Sequence, residues 1–188
     1  MQHALLAGDE VTGATTFRIV QALDAGPTFG LMTEQVRPSD TSGDLLARLA
    51  EGGAELLVRT LDAIEDGDIE AREQPAEGVS LAPKVEVADA EVDWSRPAVA
   101  IDRQVRACTP APGAWSTYAG ERLKLGPVRL DPERQLEPGV LKVAKNAVHV
   151  GTGSCAVVLG DVQPFGKKQM PAADWARGAR LESGARFA

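Results

Sequence analysis

The first residue that could carry chemistry is Asp24, within VQALDAGPTFG at residues 20–30. It stands between an apolar run and a Gly-Pro turn. A carboxylate on a loop directly after a strand can point into a cleft from a rigid base and manage a proton there. Gly26 would let the backbone bend close to a ligand. Asp, Gly and Pro are also ordinary turn residues, and composition alone reads Asp24 as a turn former. The two histidines, His3 and His149, have no partners at metal-ligand spacing. Cys108 and Cys155 have no motif spacing; they read as two free, partly buried thiols, with a lone disulfide as the alternative. Lys84, Arg103, Arg106, Lys124, Lys142, Lys145, Lys167 and Lys168 are cations that can neutralise phosphates, or simply form a solvated surface. Trp115 and Tyr118 can stack on bases, with core packing as the plainer role.

These residues need elements to position them. Residues 3–10 read as the end of a helix stopped by Gly8. Residues 12–20, rich in Thr, Val and Ile, read as a strand, and residues 29–36 as a second. The pair makes a hairpin with Asp24 at its bend. Residues 39–65 follow helical spacing through Leu45, Leu46, Leu49, Leu56, Leu57, Leu61 and Ile64, with Asp40 or Thr41 as cap. Gly52 and Gly53 are awkward inside a helix, at roughly 1 kcal/mol each relative to Ala, and close packing against a neighbour would explain them. Gly67 ends the helix. Residues 68–83 read as a short strand and then a polar, Pro- and Gly-containing linker. Residues 93–108 form another helix, with Ser95 as cap and Pro97 in the first turn. Short strands follow at 115–118, 122–125, 139–143, 147–150 and 156–159, and residues 171–178 close with a helical turn. Regularly spaced short strands suggest a small barrel or sandwich.

The chain of 188 residues has room for one ordinary domain or two small ones. A hydrophobic content of 44% and a charged content of 25% are those of a soluble globular protein. No apolar run approaches the roughly 18 residues of a membrane span. The N-terminus lacks the basic and apolar regions of a signal peptide, so a cytoplasmic protein is expected. The net charge of −7 is uneven. Residues 1–81 hold 5 Lys and Arg against 15 Asp and Glu, whereas residues 82–188 hold 15 against 12. The split suggests two units with different partners.

Several pieces resemble folate-dependent formyltransferases: QHALLAGDEVTGATT (2–16), LDAGP (23–27) and DTSGDLLARL (40–49). Four more are similar to the methionyl-tRNA formyltransferase family in particular: APK (82–84) with Asp93 and Trp94, IDRQVRA (101–107), PGAW (112–115) and LGDVQPFGKKQM (159–170). The match runs along nearly the whole chain, and its order and spacing are specific. The resemblance implies an α/β remnant of a Rossmann-like formyltransferase domain over residues 1–75, a linker over 76–95, and an OB-like β-barrel over 96–188. It also implies a shortfall. The family's early strands, basic loop and Asn-x-His pair lie before the point matching Met1, so a truncated chain or a misplaced start is expected. By itself the fragment is expected to be inactive.

The family moves a formyl group from 10-formyltetrahydrofolate, as cosubstrate, to the amino group of initiator methionyl-tRNA. The amine attacks the formyl carbon, so the reaction needs an oxyanion donor, a proton manager and positioned substrates. The resemblance implies that Asp24 is the catalytic Asp that pairs with the family's His and orders a water. Val20, Gln21, Ala22 and Leu23 would line the folate site. Lys84, Arg106, Lys167 and Lys168 would contact tRNA. No metal and no membrane are implied, and the parent would be a monomer. His3 would be a helix-surface residue and His149 structural. The alternatives are a stand-alone RNA-binding barrel, or a formyltransferase acting on a small amine or nucleotide sugar; APK and QPFGKK argue against the last.

Overall fold

The computed structural model describes residues 1–182 and 184–188. The chain divides into two units. One is Asp9–Pro83 with Met1; the other is Gln2–Gly8 with Lys84–Ala188.

In the first unit, β1 (Val11–Phe17) and β2 (Thr28–Gln35) pair antiparallel, from Val11 opposite Gln35 to Thr16 opposite Gly30. The register slips between Thr16 and Phe17, and β1 stops there rather than running to Val20. A bulge of this kind bends a strand and ends its pairing. The alternation that makes the segment look like a strand is real: Thr12, Ala14 and Thr16 face inward between exposed neighbours. They meet α2 (Ser42–Glu65), which packs on both strands. Thr41 is the cap of α2, and with Asp44 it forms a capping box. Asp40 does not cap the helix. It accepts instead from the Arg37 N–H at 2.8 Å and from both terminal nitrogens of Arg48, at 2.9 and 2.5 Å. Arg48 also donates to Glu34 on β2 at 2.6 Å, which fixes the start of the helix against the strand. The Arg48 guanidinium holds the Asp40 carboxyl below its usual range; burial opposes this, and the Arg37 N–H supports it.

Gly52 sits where α2 crosses β2. A Cβ there would lie 2.6 Å from Met32 Cε, so the glycine lets the helix approach. Two threonines complete the contact, with the Thr16 and Thr60 hydroxyls 2.9 Å apart. The short strand expected after Gly67 reduces to one bridge between Thr28 and Arg72. Among the described residues of this unit, Leu45 is the one buried hydrophobic, while Leu31, Leu46, Leu57, Val58 and Leu61 are exposed.

The second unit has a continuous core. Helix α1 (Gln2–Ala7) ends at Gly8, whose φ of 78° is the left-handed stop the sequence suggests. It packs on α3 (Ala98–Ala107), and Gln2 Nε2 donates to the Ala107 and Ala111 carbonyls. Ser95 is not the cap of α3. It donates instead to Asp93 Oδ1, and Pro97 occupies the cap position without a side-chain oxygen. The orphan N–H of Ala98 goes to Ser154 Oγ at 3.0 Å, a partner 56 residues away that no local pattern reveals.

Two four-stranded antiparallel sheets follow. The first has the order β10-β9-β4-β3, from β3 (Trp115–Tyr118), β4 (Glu121–Leu125), β9 (Asp161–Pro164) and β10 (Met170–Pro171). The second has the order β5-β8-β7-β6, from β5 (Arg129–Asp131), β6 (Leu141–Ala144), β7 (Ala147–Val150) and β8 (Ala156–Val158). Among the described residues no ladder joins them into a closed barrel. Helix α4 (Ala172–Ala179) closes the unit. The core holds Ile101, Val105, Leu123, Leu125, Val148, Val150, Val157 and Val162 beside an aromatic group. In that group Trp94 stacks on Phe187 at 5.1 Å, and Tyr118 meets Trp175 edge-on at 5.4 Å. Val85, Ala90, Val92 and Trp94, from the segment that reads as linker, lie in this core.

Candidate functional site

The bend between β1 and β2 is built around Asp24. Its backbone is left-handed, with φ of 53°, a conformation that costs a non-glycine residue energy. Three contacts hold the loop. Arg18 N–H donates to the Pro27 carbonyl at 2.8 Å and closes its neck. Gln74 Nε2 donates to the carbonyls of Asp24 and Gly26, at 2.8 and 2.7 Å. Gly26 is buried, and a Cβ on it would fall 1.7 Å from the Arg18 carbonyl oxygen, so no other residue fits. The backbone is thus fixed while the Asp24 carboxylate has no hydrogen-bond or ion-pair partner among the described residues. Asp tolerates this left-handed conformation better than most residues, which suits it to the turn, and its side chain is exposed.

The neighbouring side chains are presented too. Val20, Gln21, Ala22 and Leu23 are all exposed, Leu23 at 95% and the adjacent Ile19 at 88%. Ile19, Val20 and Leu23 are thus exposed apolar side chains on a braced loop. Gln74 is invisible to sequence reasoning, because it stands in a polar stretch with no periodicity.

The histidines and cysteines play other parts. His149 is buried in β7 with Nδ1 2.9 Å from Asp131 Oδ2. His3 lies on α1. Both cysteines are free; Cys108 is fully buried, and its thiol is pushed up to about 11, first by burial and then by the charge of Asp89. Among the described residues no group of three His, Cys, Asp or Glu side chains could hold a metal ion.

The cations fall into two groups. Lys84 is exposed and pairs with Glu86 at 3.1 Å, and Lys167 and Lys168 are exposed in the turn after β9. Arg106 differs: it is mostly buried and paired with Asp102 at 2.9 Å along α3. Trp115 is buried, donates its indole N–H to the Val87 carbonyl, and carries the Arg122 guanidinium on its face at 3.9 Å. Tyr118 packs against the core aromatics. Neither ring is displayed for stacking. Phe165 is 80% exposed. Its signal in the sequence is an aromatic placed between Pro164 and Gly166-Lys167-Lys168.

Residues 84–180 match the family described as formyl transferase, C-terminal domain. The chain belongs to the formyl transferase family. Its formyltransferase relatives extend the match across both units. A methionyl-tRNA formyltransferase of Nocardioides sp. is 72% identical over all of this chain and 60% of its own length. The one from Streptomyces coelicolor is 63% identical over 99% of this chain and 60% of its own length. The chain therefore spans about 60% of the curated formyltransferases it matches. Among solved structures, HypX from Aquifex aeolicus in complex with tetrahydrofolic acid superposes with a TM-score of 0.73 at 24% identity, over 93% of this chain and 31% of that one. That likeness concerns the fold. No helix among the described residues of this chain is long and apolar enough to cross a membrane.

Proposed function

We propose that these residues form part of an enzyme that transfers a formyl group from 10-formyltetrahydrofolate to the amino group of initiator methionyl-tRNA. The observation that carries this reading is the Asp24 loop: a carboxylate without a partner among the described residues, on a backbone pinned by Gln74 and Gly26, beside exposed apolar side chains. In the reaction the amine lone pair forms the new C–N bond while the formyl carbonyl electrons move onto oxygen. Asp24 accepts the amine proton through an ordered water, and collapse of the oxyanion breaks the bond to the folate nitrogen, which leaves with a proton. Val20, Gln21, Ala22 and Leu23 form one wall for the folate ring, their backbone groups offering it hydrogen bonds.

The second unit, an OB-related fold in this reading, binds the tRNA. Lys84, Lys167 and Lys168 neutralise phosphates at its exposed positions. Arg106 contributes there only by exchanging Asp102 for a phosphate. The names and identities of the relatives support methionyl-tRNA as substrate over a nucleotide sugar.

The 188 residues contain no Asn-x-His sequence, so an oxyanion donor of that kind comes from elsewhere. Alone they do not transfer the formyl group. Joined in frame to the preceding segment of the Nocardioides relative, they do. Formylation of methionyl-tRNA by the joined protein, with none by the 188 residues alone, is the expected result. Transfer to a nucleotide-linked amino sugar in preference to methionyl-tRNA refutes the substrate.

A further inference from the structure

The outer face of the β10-β9-β4-β3 sheet departs from an ordinary solvated surface. Residues alternate across β4, so Leu123 and Leu125 face the core while Arg122 and Lys124 face out. On β9 Val162 faces in and Gln163 faces out, opposite Lys124. Phe165 follows Pro164, the ladder partner of Leu123, and so comes level with Arg122. Arg122, Lys124, Gln163, Pro164, Phe165 and Gly166 line a cleft of about 120 Å³.

The cleft is braced. Arg122 rests on Trp115 at 3.9 Å. The turn bearing Phe165 is closed by Lys167 N–H to the Pro164 carbonyl at 3.0 Å and by Gln163 Nε2 to the Lys167 carbonyl at 2.9 Å. Phe165 has nevertheless no aromatic neighbour among the described residues and is 80% exposed. The ring is therefore open to a ligand at the rim of the cleft. Lys167 and Lys168 follow it in the chain. Of the acids on these strands, Glu121 alternates away from the face of Arg122 and Lys124. Asp161 stands at the end of β9 far from Phe165 and already accepts from Gln169 Nε2 at 3.2 Å.

We propose that this face binds a single-stranded segment of RNA, with one unpaired base stacked on Phe165 and the flanking phosphates held by Arg122, Lys124 and Lys167. A flat ring offers a base a surface of matching shape and a sequence-tolerant attraction, and the cations supply the backbone contact. A folded duplex presents no free base and gains nothing from the ring. The proposal deepens the tRNA reading of the second unit and rests on it for the class of partner.

The test is fluorescence anisotropy of the full chain with a labelled single-stranded oligonucleotide and with a blunt-ended two-strand RNA duplex, at several salt concentrations. Circular dichroism confirms that each variant is folded. Phe165→Ala is expected to weaken single-strand binding by about five- to a hundredfold, leave duplex binding unchanged and keep the salt slope. Phe165→Trp restores affinity. Lys124→Gln lowers the slope by about 0.7, the value for one phosphate contact on a single strand. Single-strand affinity within twofold of the parent in Phe165→Ala, or no binding of single strands by the parent chain, overturns the proposal. The formyl-transfer reading stands or falls separately, on transfer by the joined protein.

Discussion

Gln74 Nε2 donates to the Asp24 carbonyl at 2.8 Å across 50 residues of sequence, and to the Gly26 carbonyl at 2.7 Å. One amide thereby fixes both sides of the turn that presents the carboxylate. Gln74→Ala removes both bonds, each worth about 1 kcal/mol. The Arg18 amide, which closes the loop on Pro27, is then expected to exchange with deuterium roughly ten times faster or more. An unchanged exchange rate would show that the loop holds its shape without Gln74.

Gly52 and Gly53 separate two effects in one helix. A Cβ on Gly53 would make an ordinary 3.7 Å contact with Ala14. Gly53→Ala should therefore stabilise the first unit by close to the full helix-propensity gain of about 1 kcal/mol. Gly52→Ala gains less, because the new methyl displaces the end of Met32. Denaturant melting of both variants checks the order, and equal gains would contradict the packing account.

Much of this organisation is legible in the sequence. The helix over α2 is, because its apolar spacing spans 24 residues and its cap is local. The hairpin is, because Thr alternation and a Gly-Pro bend are local signals. What escapes depends on distant partners. Ser95 reads as the cap of α3, but the N–H is satisfied by Ser154. Strands β5, β9 and β10 are two to four residues long and take their conformation from their ladder neighbours. Closure of the sheets is likewise a matter of long-range pairing, and among the described residues the strands expected in an OB-like barrel form two separate sheets. At the site, the Gly-Pro neighbourhood of Asp24 is enough to place that carboxylate on a loop. Gln74 carries no motif and emerges only from geometry, whereas Phe165 lies inside the QPFGKK stretch but its exposure is visible only in the structure. Arg106, read as a phosphate contact, already has Asp102.

Asp40 gives the first unit a pH signature. Its carboxyl is held below the ordinary value of 3.8, chiefly by Arg48. The folded state therefore binds this proton less readily than the unfolded chain, and the stabilisation is complete above that value. It is lost as pH falls through the lower, folded pKa. Asp40→Asn is expected to destabilise the protein at neutral pH by on the order of 2 kcal/mol. The gap between variant and parent should then close in acid below 3.8. A gap independent of pH would contradict the role of the ion pair.

The two units differ in how much apolar surface they bury. Among the described residues of 9–83 Leu45 is the one buried hydrophobic, whereas the second unit encloses a core of aliphatic residues beside four aromatic rings. Burial supplies most of the drive to fold. Amides of β1 and β2 are therefore expected to exchange faster than those of β4 and β7. Stronger protection in β1 and β2 would mean that the first unit is stabilised by something other than its own core, such as self-association.

Asp24 is the most direct point of attack on the functional account. The decisive measurement is steady-state formylation of methionyl-tRNA by the joined protein, comparing Asp24→Asn with the parent. The variant keeps the size of the side chain and loses its ability to accept a proton. A fall in kcat of roughly 100-fold or more, with KM for both substrates little changed, is predicted. Formyl transfer by Asp24→Asn at the parental rate would contradict it.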